Sequence, residues 1–444
     1  MTPAMSAENE RSIFGRTFFC ECGKTHTVQP REVLYARGAA EQFPALCARA
    51  VSGRRVTLLM DERTRAVAGR ELGRSLAGGG WQVSEILVPD PSRGHSPICD
   101  DLTKDALSAR IGETDLFVPV GGGVMTDLAR WIAEDRALPF VSFATAASMN
   151  GYASASIAGT VRGVKSLLYA RPPLAIAADP AIIERAPLEL TASGLGDVLA
   201  KPVSTADWRL NELVFGDYYC ARSAGLIAEI EPLYADHPEQ IRAREPKAMQ
   251  GLFDALLLTG VSMSMAGTSA PCSGGEHMVS HSLDMMASLD GTEHDLHGRQ
   301  VGVGTLLASE LYRRVLAVES PLFRAPPPEI DRPFWGRLAD GVAAEYGGKV
   351  GRLREAAQTL RQKERWNLLR ETLTPMLRTP ENLRECLSRA GAAYKAEQIK
   401  SAKQRLLQAF LHGHEIRSRF TILDLARLVG VMPEAAGEIV EEWS

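Results

Sequence analysis

No apolar run in the chain approaches the ~20 residues that a membrane-spanning helix needs, so the sequence predicts a soluble protein. The opening stretch, MTPAMSAENERSIFGRTF, is polar and lacks the apolar core of a secretory signal, which points to the cytoplasm. A lysine–arginine block is missing as well, and the formal net charge is −4. Nucleic acid and anionic membrane are therefore not expected as partners. Cysteine is sparse and odd in number: Cys20, Cys22, Cys47, Cys99, Cys220, Cys272 and Cys386 are scattered, which suits a reducing compartment better than a disulfide framework. Internal repeats and low-complexity tracts are lacking. The G-x-G-x-x-G fingerprint of ordinary dinucleotide folds is not found at the glycine-rich turn described below.

What is present is ordinary globular material. At 444 residues, 45% hydrophobic and 23% charged, the chain is long enough for two or three domains with sizeable cores. Residues 1 to about 30 read as a polar lead-in with a β-hairpin. Within it, Cys20, Cys22 and His26 in CECGKTH resemble half a zinc knuckle. One residue separates the cysteines where such knuckles have two, and no second pair follows, so a structural turn is the expectation.

From about residue 32 to 190, short apolar runs alternate with amphipathic helices. RRVTLLMDERT, WQVSEILVP, TDLFVPV, LPFVSFATAAS and PPLAIAADPAII read as strands of a parallel sheet covered by helices on both faces. Beyond residue 190 the periodicity is helical throughout, and the proline-rich SPLFRAPPPEIDRPFW is the best internal loop. The predicted architecture is thus a Rossmann-like α/β domain over 1–190 and an all-helical domain over 191–444, with ligands in a cleft between them.

Two places carry chemistry. The third strand ends in Gly121, Gly122 and Gly123 and runs straight into a helix. Glycine lets backbone approach a phosphate closely, and the helix N-terminus faces the anion. Asp61, ending an earlier strand, could accept hydrogen bonds from a ribose diol and would repel a 2′-phosphate, which favours NAD over NADP; a helix N-cap is the equal alternative. The second place runs from Ser273 to Gly304 and holds four of the nine histidines, His277, His281, His294 and His297. His277 and His281 are four residues apart on one helical face. Neutral imidazoles aimed into one space from two helices are a candidate divalent-metal site.

The segment GGGVMTDLARWIAEDRALPFVSFATAASMNGYAS resembles the cofactor-binding region of the sn-glycerol-1-phosphate dehydrogenase family, within the dehydroquinate synthase-like superfamily of iron-containing alcohol and glycerol dehydrogenases. The likeness continues through LAIAADPAIIERAPLELTASGLGDVLAKPVSTADW, SGGEHMVSHSLDM, LHGRQVGVGTL and IRSRFTILDL, from about residue 18 to 430. It implies a metal held by Asp197, His277 and His297, with His281 and Asn150 contacting substrate. It also implies NAD(P) contacts from Gly121, Gly122, Gly123, Thr145, Ser148 and Ser154. His294 stays outside the scheme. Asn150 replaces an aspartate of archaeal members, and Arg130, Ala144 and Ala200 replace a lysine, a proline and a serine, the marks of a divergent bacterial branch.

The activity so implied is metal-dependent hydride transfer between NAD(P) and a polyol phosphate, interconverting dihydroxyacetone phosphate and sn-glycerol 1-phosphate. Zinc is the expected metal, nickel and iron(II) being compatible with the ligands, and a homodimer is the expected assembly. The alternatives are a dehydrogenase of another polyol, a dehydroquinate synthase-like cyclase and a catalytically silent relative. Cyclases place a lysine three residues after a glutamate ligand; here Lys201 follows Asp197 by four, which argues against that chemistry. Lys165, Lys201, Arg417 and Arg419 are the basic candidates for a substrate phosphate.

Overall fold

In the computed structural model, residues 13–91, 96–228, 230–293 and 295–444 are described. His294 lies outside them. Two compact units emerge. Of the described residues, those within 13–162, 166–194 and 222–269 make the first, and those within 163–165, 195–221 and 270–444 the second. The division differs from a single cut at residue 190, because 222–269 belongs with the sheet.

The chain opens with a hairpin of β1 (Thr17–Phe19) and β2 (Thr25–Thr27). Six strands then form one parallel sheet: β3 (Glu32–Tyr35), β4 (Arg55–Met60), β5 (Gln82–Leu87), β6 (Leu116–Gly121), β7 (Val141–Ala144) and, later, β10 (Ala175–Ala178). Between them come α1 (Ala39–Ala50), α2 (Arg70–Gly78), α3 (Asp101–Ser108) and α4 (Gly123–Asp135), while β8 (Ser156–Val161) and β9 (Val164–Tyr169) make a separate two-stranded sheet. β4, β6, β7 and β10 are buried almost throughout and read as continuous apolar runs, as strands covered on both faces must. One apolar cluster gathers Phe43, Leu58, Leu72, Val118 and Phe143; another, around Leu59, Phe117, Leu128 and Ile132, packs α4 against the sheet.

The strand order is β3-β10-β7-β6-β4-β5. The direction in which successive strands are added reverses between β6 and β4, and open α/β sheets bind ligands at the carboxyl ends flanking such a reversal. Gly121 ends β6 and Asp61 follows β4, so both sequence-predicted cofactor positions stand at that point.

Helix α5 (Leu188–Leu199) leads to α6 (Lys201–Phe215). α7 (Pro246–Ala266) is buried along most of its length in the first unit. Gly260 explains its place there: a Cβ would come within 2.9 Å of the Asn150 carbonyl and 3.0 Å of the Ala153 and Ser154 nitrogens. On the same helix, Phe253 stacks on Tyr35 at 5.2 Å between ring centroids. Helical periodicity alone carries no information about which core will receive such an element. In the second unit, α8 (Gly275–Asp290) and α9 (His297–Ala317) are paired, and α10 (Ile422–Val429) follows near the C-terminus. No helix among the described residues is long and apolar enough to cross a membrane.

Candidate active site

On the sheet side, α4 starts at Gly123 with Gly122 as its N-cap, and no side chain caps it. The first amide groups of this helix are therefore a candidate anion site. None of the three glycines adopts a positive φ, so backbone freedom is not what they supply. They supply room. A Cβ on Gly121 would stand 2.6 Å from Met125 Cγ, and one on Gly122 3.2 Å from Ser148 Oγ. The loop after β7 thus packs onto the glycine turn, and the Thr145 amide donates to the Gly121 carbonyl at 3.2 Å.

Arg130 organises that loop from below. Its fully buried guanidinium pairs with Asp127 at 2.6 Å and donates to the carbonyls of Gly151, Tyr152 and Ser156 at 2.6, 3.0 and 2.8 Å. Ser154 is also inward, its hydroxyl placed to donate to either the Gly151 or the Ser156 carbonyl, 3.1 and 2.9 Å away. Asn150 lies half-buried on the same loop. Asp61 caps the helical turn Glu62–Thr64, accepting from the Thr64 amide at 2.8 Å, and its other oxygen accepts from Arg63 at 2.7 Å. Arg63 reaches on to Asp90 at 2.6 Å. The capping role predicted as the alternative for Asp61 is present in this structure.

In the second unit, Asp197, His277 and His297 each offer one ligand atom, and these atoms lie within 4.8 Å of one another. Three close backbone approaches bring them together. A Cβ on Gly196 would meet the Gly298 carbonyl at 2.1 Å, one on Gly302 would meet Gly196 Cα at 3.4 Å, and one on Gly304 would meet the Glu276 carbonyl at 2.5 Å. Glycine at these positions lets α5, α8 and α9 touch backbone to backbone. Asp197 comes from α5, His277 from the first turn of α8 and His297 from the start of α9.

Hydrogen bonds set the imidazole orientations. His277 Nδ1 donates to Glu276 Oε1 at 2.7 Å, so Nε2 faces Asp197 Oδ1, 3.4 Å away. Ser280 donates to Gln300 Oε1 at 2.9 Å and can accept from His297 Nδ1 at 3.2 Å, leaving Nε2 of His297 as the lone-pair donor. Partners of this kind hold metal-binding histidines in the required tautomer. Glu276, Ser280 and Gln300 were not singled out in the sequence; the one hint is the acid immediately before the first histidine of EHMVSH.

Electrostatics favour a cation here. Burial lowers the basicity of His277, yet hydrogen bonds and charge from Asp197 and Glu276 overcome it and raise the pKa to about 9. His297 is pushed down to about 4, mainly by burial, and His281 well below its usual range by burial and then by the charge of Arg417. Two buried carboxylates therefore hold one positive charge on His277, which is the place a divalent ion would take. The residues fit such an ion: one carboxylate and two oriented imidazoles leave a coordination position open.

His281 is not one of the three convergent donors. Its ring centroid is 6.0 Å from that of His277 and 5.5 Å from that of His297, and its buried Nδ1 has no hydrogen-bond partner among the described residues. The basic candidates separate. Lys165 lies 3.7 Å from Asp284 and, with Arg417, acts electrostatically on His281. Arg419 holds the Ser273 carbonyl, and the buried Lys201 donates to the Pro271 carbonyl at 3.1 Å.

Asp207 locks the frame from behind. Its carboxyl group accepts from Tyr312 Oη at 2.5 Å and from the amides of Gly275 and Ile422 at 2.7 and 2.8 Å, tying α6 to α9 and to the starts of α8 and α10.

The model of the iron-containing alcohol dehydrogenase family matches residues 34–187. Glycerol-1-phosphate dehydrogenase [NAD(P)+] of Bacillus licheniformis is 26% identical over 426 residues, covering 94% of each chain. The enzyme of the same name from Thermococcus sibiricus is 32% identical, over 64% of this chain and 78% of its own. Among solved structures, glycerol dehydrogenase from Schizosaccharomyces pombe superposes with a TM-score of 0.60 at 17% identity, covering 93% of this chain and 90% of the other, a likeness of fold. With this fold, these motifs in this order and these relatives, the chain belongs to the glycerol-1-phosphate dehydrogenase family.

Proposed function

We propose that this protein is a metal-dependent NAD(P)-linked dehydrogenase that interconverts dihydroxyacetone phosphate and sn-glycerol 1-phosphate. The observation that carries the reading is the convergence of the buried Asp197 and His277 with the half-buried His297, both imidazoles being oriented by hydrogen bonds. These three would hold the ion. When bound, a divalent cation supplies Lewis-acid stabilisation to negative charge developing on a substrate oxygen, an effect of several kcal/mol. The nicotinamide supplies or accepts the hydride. Zinc suits the donor set, as do nickel and iron(II).

The chain's own residues do the rest. Gly121, Gly122 and Gly123 and the uncapped start of α4 bind the pyrophosphate, with Thr145 and Ser148 on the adjoining loop. Ser154 supports that loop. Asp61 receives the ribose hydroxyls once Arg63 yields, which favours NAD over NADP. His281, neutral and with an unsatisfied nitrogen, holds a substrate hydroxyl. Asn150 adds a neutral hydrogen bond where a proton acceptor is not required. Lys165 and Arg417, whose charges act on His281, meet the phosphate. We place the enzyme in the cytoplasm as a homodimer.

Purified protein should oxidise NADH with dihydroxyacetone phosphate, and a chelator should abolish the signal until metal is restored. Turnover of glycerol or another unphosphorylated polyol in preference would replace this reading with the second, a glycerol dehydrogenase-like enzyme, which the shared fold favours. Cyclisation without net NADH change would overturn both.

A further inference from the structure

The N-terminal hairpin carries three metal-ligating side chains that the catalytic reading does not use. Cys20 and Cys22 lie in the connection between β1 and β2 and His26 lies on β2, and their ligand atoms fall within 4.8 Å of one another. The turn itself gathers them. The Cys20 amide donates to the Lys24 carbonyl at 2.9 Å, and the Gly23 amide to the Cys20 carbonyl at 2.9 Å. Gly23 has φ +83°, a conformation that a side chain at this point would strain. The closed loop leaves Cys22 Sγ 3.2 Å from His26 Nε2.

Burial is selective. Glu21, Gly23, Lys24, Thr25 and Thr27 are exposed, whereas Cys20 and His26 are buried and Cys22 half-buried. Strands of three residues joined by three registered pairs have no core of their own, and an isolated hairpin of this size is marginal in water. Two sulfurs and an imidazole turned inward on such a scaffold form the donor set of a soft or borderline cation. Zinc–sulfur and zinc–nitrogen bonds of roughly 2.3 and 2.0 Å at a tetrahedral angle hold their ligand atoms about 3.5–3.8 Å apart, so small adjustments of these donors would admit the ion.

We propose that this hairpin is a second metal site, in which Cys20, Cys22 and His26 bind one zinc-class cation, with two thiol protons released on binding and the hairpin stapled as a result. The one-residue spacing, which argues against a knuckle in the sequence, is met here by a tight turn that brings both sulfurs to one side of the loop. A fourth coordination position is left to another thiol or to solvent.

Cobalt(II) tests this directly, because the Asp197–His277–His297 set contains no sulfur. Full-length, reduced, metal-stripped protein titrated with cobalt(II) should develop a near-ultraviolet thiolate-to-cobalt charge-transfer band. That band should persist in His277→Ala and be lost in Cys22→Ser and in Cys20→Ser. Should Cys20→Ser fail to fold, zinc release decides: titrating zinc-loaded wild-type protein with a thiol-specific mercurial should free one equivalent and leave the other bound. No charge-transfer band at saturating cobalt, a band unchanged in Cys22→Ser, a Cys20–Cys22 disulfide in protein kept under reductant, or no zinc release by the mercurial would each overturn the proposal.

Discussion

The glycine turn in the first unit and the candidate metal cluster in the second solve opposite problems. The turn is made almost wholly of backbone and small side chains, with an uncapped helix start as its active feature. The cluster is made of charged and titratable side chains taken out of water, where Asp197 is 2% and His277 4% exposed. Removing a side chain creates the first site; orienting side chains against a desolvation cost creates the second. The first therefore tolerates modest errors of placement, while the second depends on every surrounding hydrogen bond.

The largest expected effect breaks the cluster at its centre. His277→Ala should lose metal and activity together, by on the order of a thousandfold in turnover. His281→Ala should keep its metal and lose roughly 10–100-fold, the range expected for one positioned hydrogen-bonding or proton-handling group. Metal analysis with steady-state kinetics reads both, and full activity in His277→Ala would remove the cluster from the mechanism.

A pair of glycine substitutions sharpens the contrast. Gly196→Ala drives a Cβ to 2.1 Å from the Gly298 carbonyl, which is backbone and has nowhere to go. It should separate Asp197 from His297 and weaken metal binding about 10–100-fold, the range seen when groups supporting a ligand are displaced. Gly122→Ala meets only the Ser148 hydroxyl at 3.2 Å, which can rotate. Its expected phenotype is a raised KM for NADH with metal content intact.

Between these in reach lies Glu276→Gln, which keeps the shape but weakens the bond to His277 Nδ1 and should cost about tenfold in metal affinity. Calorimetric metal titration reads it, and an affinity equal to wild type would make Glu276 a mere packing residue.

The smallest expected effects concern the frame. Asp207→Asn places an amide N–H against either the Gly275 or the Ile422 amide and should cost about 1–3 kcal/mol of stability. Burial, followed by the nearby Glu276 charge, raises the Asp207 pKa to about 8 despite its three donors. Between its unfolded value near 3.8 and about 8 the native state holds a proton that the unfolded chain has released. Stability from this group should therefore be highest at low pH and fall as pH rises through that window. Urea unfolding across the window, in wild type and Asp207→Asn, checks the sign: the variant should lack this component.

Several elements were legible because their signals are local. Apolar runs of the right length announced β4 to β7 and β10, and three glycines after a strand marked the turn. The strand Glu32–Tyr35 escaped because four half-buried residues at a sheet edge carry little pattern. The two-stranded β8–β9 pair escaped likewise, its residues being mostly half-buried without clean alternation. Glu276, Ser280 and Asp207 were illegible for a different reason: each is a polar residue in a helix, and such residues ordinarily face water. Only packing reveals that Glu276 and Asp207 are buried and already bonded.

From residue order alone came a parallel α/β half followed by a helical half, a candidate phosphate-binding turn and, through family likeness, three candidate metal donors. These follow from periodicity and from short motifs, which a chain displays before it folds. Tertiary structure decided that 222–269 joins the sheet-bearing unit, that Asp61 caps its helix, and that Glu276 and Ser280 select the imidazole tautomers. Those outcomes depend on burial and on partners remote in the chain, and no local pattern specifies which distant group will supply the missing hydrogen bond.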